Sequence, residues 1–149
     1  MRRAAQDTRT RDLFEVPEPA PELPGTHDFR TQVAHLVSEV MRRAESDRWG
    51  IAAAMIRLTG KDVSKHMLDA YASELREDHN LPLYLVPALE VACGSHLISR
   101  WLAEVRGAQL LIGREALMAE LGRLERARDE ATKNIKRLKA QLQLGESDA

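Results

Sequence analysis

From Leu117 to Leu142, one set of positions recurs at alternating spacings of four and three residues: Leu117, Leu121, Leu124, Arg128, Ala131, Ile135, Leu138 and Leu142. A 3.5-residue repeat held this long keeps one seam of a helix facing a partner, and no strand or loop needs it. Leu121, Arg128, Ile135 and Leu142 take the a positions, and Leu117, Leu124, Ala131 and Leu138 the d positions. Left alone, that helix would hold a continuous apolar stripe in water. Pairing removes the stripe from solvent at about 25 cal/mol per Å². Arg128 is tolerable in a dimer, where its head reaches water past the seam, and costly inside a closed tetramer. The pattern therefore predicts a coiled-coil oligomerisation helix over residues 113–144, a homodimer before a tetramer, and a disordered end at 145–149. The rival arrangement folds the same helix back onto its own body.

Upstream, the periodicity is also helical. Phe29, Val33, Leu36, Val37, Val40 and Met41 predict a helix over residues 28–44, capped by Thr26 or Asp28, with Arg42 and Arg43 at its C-terminal dipole. Asp47 opens a second helix that Thr59-Gly60 closes, with Trp49, Ile51, Ala52, Met55, Ile56 and Leu58 on its apolar side. A third is expected from Ser64 to Arg76, capped by Asp62 or Ser64, with Val63, Met67, Leu68, Tyr71 and Leu75 in register. Pro82 and Pro87 exclude a central strand. Pro87 suits the first turn of a short helix ending at Cys93-Gly94. Ser95 then caps a helix to Arg106 that carries Leu97, Ile98, Trp101, Leu102 and Val105. Residues 108–112 read as a short strand or an extended linker. Both tryptophans, Trp49 and Trp101, are expected as core anchors. The fold class is thus all-α, a small bundle over residues 28–112 followed by the long helix.

Residues 1–27 read as a disordered tail. Polar residues dominate its start, and the prolines of Val16-Pro17-Glu18-Pro19-Ala20-Pro21-Glu22-Leu23-Pro24 favour extended polyproline structure. Leu13-Phe14, its one apolar pair, is a candidate docking motif or a clip onto the body.

The chemistry of catalysis is hard to find in these residues. Cys93 is the single cysteine, in an apolar run, and reads as a buried structural residue of a protein in a reducing cytosol. The five histidines, His27, His35, His66, His79 and His96, lack metal-ligand spacing, Cys93 and His96 together being too few for zinc. Glu74, Glu77 and Asp78 read as a solvated helix end. No phosphate-binding loop, dinucleotide fingerprint or nucleophile elbow occurs. No enzyme activity, cofactor or metal is expected. Without an apolar stretch of about 20 residues or a signal peptide, the chain is expected to be cytoplasmic and away from membranes.

The functional signal lies in residues 47–76. A helix rich in small residues, Ile51-Ala52-Ala53-Ala54, meets a Gly60 turn and a second helix whose early polar residues are Lys61, Ser64, Lys65 and His66. In a helix-turn-helix those positions face base edges and phosphates. The turn is about two residues longer than the tight DNA-binding version. With a formal net charge of −1, DNA affinity has to come from a local patch. The candidates are Arg42, Arg43, Arg48, Arg57, Lys61, Ser64, Lys65 and His66.

Residues 47–107 also resemble phage regulatory proteins of the CII type, found in temperate and transposable phages. The resemblance is carried by Leu58-Thr59-Gly60, Val63-Ser64, Met67-Leu68, Pro87-Ala88-Leu89, Cys93-Gly94-Ser95 and Trp101-Leu102-Ala103. It implies a helical, oligomeric regulator of transcription in a bacterial host cell that binds double-stranded DNA, with Ser64, Lys65 and His66 on the recognition helix. The alternative is an adaptor or inhibitor that binds a host or phage protein through the tail or the coil.

Overall fold

The computed structural model describes residues 17–147. Among them are six α-helices and no strand: α1 (Arg30–Arg43), α2 (Arg48–Thr59), α3 (Lys65–Tyr71), α4 (Val86–Cys93), α5 (Leu97–Val105) and α6 (Arg114–Ser147), with a 3-10 turn at Leu83–Leu85 before α4. The chain divides into two compact units between Leu110 and Leu111.

Local chemistry explains most boundaries. Asp47 caps α2 by accepting from the Gly50 N–H at 2.8 Å. Gly60 ends it with φ 67°, a left-handed conformation that a side chain would strain. Ser64 caps α3 by accepting from the Met67 N–H at 3.1 Å. Pro87 lies in the first turn of α4, where no N–H is required.

Several boundaries differ from the expected ones. Helix α1 begins two residues late, at Arg30; Phe29 holds the cap position, and Asp28 accepts from the Arg30 N–H at 3.2 Å. Helix α3 stops at Tyr71 rather than Arg76. Its end tightens as the Ser73 N–H donates to the Ala70 carbonyl, and Leu75, 94% exposed, finds no packing that would sustain another turn. Helix α5 starts at Leu97, with the Ser95 hydroxyl accepting from the Leu97 N–H at 3.1 Å. Residues 108–112 are extended linker, and α6 continues through Ser147 past the expected break at 145.

The core of the first unit joins Val37, Val40 and Met41 of α1 to Ile51 and Met55 of α2, Leu68 of α3, Leu85 of the 3-10 turn, Leu89 of α4 and Ile98 of α5. Helix α4 packs chiefly on α2, while α1 supports α4 and α5. Trp49 is a correction: it is 64% exposed, because α2 is apolar around most of its circumference and buries only Ile51, Ala52 and Met55. Leu58 and Leu102 likewise face outward. Trp101 does pack, meeting Phe29 edge to face at 5.5 Å between ring centres.

Residues 17–27, expected within the disordered tail, follow a defined course. The Ala20 N–H donates to the Val105 carbonyl at 2.9 Å, and the Thr26 hydroxyl turns back on the Pro21 and Leu23 carbonyls at 2.8 and 2.7 Å. Gly107, at φ 72°, lets Pro19 close in: a Cβ there would stand 3.0 Å from the proline ring. Leu13-Phe14 and the rest of the expected tail lie outside the described residues.

Candidate nucleic-acid interface

The eight residues expected to meet DNA do not form one free basic face. Arg42 and Arg43 both close on Glu39 at 2.5 Å, and the Arg42 hydrogen bond leads in holding that carboxyl below its usual range. Lys65 binds Asp69 at 2.6 Å, and Arg48 pairs with the same carboxylate. Lys65 first and Arg48 second keep the Asp69 pKa low, against a smaller opposing effect of burial. The Ser64 hydroxyl is spent on the α3 cap. His66 stands edge-on to Trp49, with 6.3 Å between ring centres. Lys61 places its ammonium 4.8 Å above the Tyr84 ring, a cation–π contact. Arg57 is exposed, and no ion pair engages it among the described residues.

The α2–α3 connection is also long. Five residues, 60–64, separate helices of twelve and seven residues. A helix-turn-helix uses a turn of about three to four residues.

A tighter unit lies downstream. Only Gly94, Ser95 and His96 separate the eight-residue α4 from the nine-residue α5. Gly94 takes φ 62°, so the chain reverses at once. Glu90 then locks the two helices together. It is 5% exposed, the one buried charged side chain among the described residues. Its carboxylate accepts from the Ser99 N–H at 2.9 Å and from the Ser99 hydroxyl at 2.6 Å, while its carbonyl accepts from the Ser95 N–H at 2.9 Å. The negative charge thus sits in the first turn of α5, where the helix dipole favours it. His96 and Arg100, one turn apart, are exposed on the outer side of α5. Among the described residues no ion pair engages Arg100.

This unit was not singled out from the sequence, although its signals are there: Gly94 after Cys93, then a capping Ser95. Glu90 carries no sequence mark, since an acid in mid-helix ordinarily faces water.

Leu58, Thr59 and Lys61 at the end of α2, with Tyr84 and with Pro87, Ala88 and Val91 of α4, line an open apolar cleft of about 420 Å³. Burial pushes the Cys93 thiol up to about 11, which leaves it protonated and a poor nucleophile. Among the described residues no group of three or more His, Cys, Asp or Glu side chains is placed to hold a metal ion. No helix among them is long and apolar enough to cross a membrane. Compared with known protein families, curated proteins and solved structures, the chain matches none.

Proposed function

We propose that this chain is a DNA-binding regulator of phage type that acts as a homo-oligomer, with α4–α5 rather than α2–α3 as its reading unit. The observation that carries the proposal is the three-residue turn between α4 and α5, held by the buried Glu90. The N-terminal half of α5 would enter the major groove. Arg100 is suited to bidentate contact with guanine, and His96 to a base edge or phosphate. Arg57 and Lys61 could add phosphate contacts. Arg42, Arg43, Arg48 and Lys65, already spent on Glu39 and Asp69, fit less well as DNA contacts.

The test is fluorescence anisotropy of the full chain on duplex from its own gene neighbourhood, with a scrambled duplex as control and a salt titration. Preference for the native duplex is expected. Arg100→Ala should weaken binding by about 1–3 kcal/mol if Arg100 reads a base. Lys65→Ala should leave the salt slope nearly unchanged. Equal affinity for both duplexes, or an Arg100→Ala variant that binds normally, rejects this reading.

The apolar cleft favours a second reading, an adaptor that receives an apolar protein segment followed by an acid, with Lys61 at the rim. Absence of DNA binding together with capture of such a peptide would select it.

A further inference from the structure

The seam of α6 remains open to water. Leu117, Leu121, Leu124, Ile135, Leu138 and Leu142 are each 52–73% exposed. We infer that α6 pairs with α6 of a second copy in antiparallel orientation, about a twofold axis that passes midway between Asp129 and Glu130. The inference rests on the self-association part of the reading above and is independent of DNA binding.

The argument is one of register. In an antiparallel pair each a position faces a d position of the other helix, and a twofold interface makes every such contact occur twice. With the axis between residues 129 and 130, Leu121 faces Leu138 of the second copy, Ile135 faces Leu124, and Leu142 faces Leu117. The one polar seam residue, Arg128, falls opposite the smallest, Ala131. Its guanidinium already leaves the seam toward Asp129, 3.0 Å away. All eight seam positions are used. Moving the axis by half a heptad toward the N-terminus strands Leu142 and sets Leu138 against Arg114. Moving it the other way sets Leu121 against Gly145 and Arg128 against Leu138.

Charge selects the same orientation. Glu125 and Lys139 occupy e positions, and no ion pair within the chain engages either among the described residues. In the antiparallel register Glu125 of each copy lies beside the uncharged Thr132 of the other, and Lys139 beside Met118, so no like charges meet. A parallel, in-register dimer instead stacks Arg128 on Arg128 across the seam. It also brings Glu120 beside Glu125, although Arg123 partly neutralises Glu120. Like charges so placed disfavour the parallel pair.

The test uses the full chain with Cys93→Ala, so that one introduced cysteine carries a spin label. Ala119 and Ala140 are exposed and lie on the face opposite the seam. Sedimentation equilibrium establishes the oligomeric state, and dipolar spectroscopy measures the label separation. Antiparallel pairing sets Ala119→Cys in one copy about 31 Å along the axis from its twin, and the same holds for Ala140→Cys. Mixing the two variants adds a short separation of about 20 Å. A parallel dimer gives the reverse, short distances for each variant alone. Glu125→Lys provides a second reading: at low salt it should leave the affinity of the antiparallel dimer nearly unchanged, whereas it would strengthen a parallel one several-fold by replacing the Glu120–Glu125 repulsion with an attraction. A parallel dimer overturns the orientation and leaves homo-oligomeric action standing. A chain that stays monomeric at tens of micromolar overturns both, and a trimer or larger assembly overturns the twofold pair.

Discussion

Glu90 illustrates how much one side chain settles in a domain this small. A buried carboxylate without partners would be costly. Here it accepts two hydrogen bonds from Ser99 and sits at the positive end of α5. Glu90→Ala removes the acceptor and leaves the Ser99 N–H without one. Urea unfolding should register a loss of about 2 kcal/mol, and a change below about 0.5 kcal/mol would contradict the role assigned to it. Cys93, one turn further along α4, behaves oppositely: it is half-buried and makes no charge. Its folded pKa lies above that of an unfolded thiol, which is about 8.5. The stability this contributes is therefore complete below pH 8.5 and is lost as pH rises toward 11. Iodoacetamide at pH 8 should modify the folded chain far more slowly than the chain in urea. Equal rates would show that the thiol is not shielded.

At the scale of the element, the helices differ in what holds them. Helices α2 and α3 are short and stand on their caps, Asp47 and Ser64, and on a buried strip no wider than three or four side chains. Helix α6 has thirty-four residues, exposed apolar positions and a glycine, Gly122, in its interior. Glycine is poor there because it loses the most backbone freedom on becoming helical. The nearest atom to a Cβ at Gly122 would be the flexible end of Arg126 at 3.7 Å, an ordinary contact. Gly122→Ala should therefore stabilise α6 by roughly 0.5–1 kcal/mol, seen as a higher midpoint for loss of helical circular dichroism. A lower midpoint would place Gly122 against something that needs it small. Position 122 falls outside the a and d seam, so this substitution tests the helix and not its pairing.

The whole molecule divides into two compact units. The first is closed by packing and by the strap of residues 17–27, which makes one backbone hydrogen bond to the end of α5 and sets the Pro19 ring against Gly107. The second has almost no burial of its own and leaves its seam exposed. A twofold pair of α6 helices would give a dimer with two equivalent α4–α5 units. The duplex that binds best should then carry an inverted repeat, and footprinting on the native duplex should show two protected half-sites related by a twofold axis.

Helical periodicity, caps and breakers determined a great deal here. They sufficed for an all-α chain, for the start of α2 at Asp47, for the glycine stops at Gly60 and Gly94, and for the long C-terminal helix, because each depends on interactions within a few residues, while the choice of Ser64 over Asp62 as the α3 cap came from the structure. Tertiary structure alone decided the rest. Trp49 and Leu75 have the spacing of core residues and lie outside, since burial depends on which helix crosses where. The prolines of residues 17–27 look like a tail in composition, yet one N–H to Val105 and one glycine wide enough for Pro19 bind them down. The basic residues read as a DNA face are largely paired with Glu39 and Asp69. Charge counts along a chain cannot reveal which cations have an acid within reach, because electrostatic partners are chosen in space.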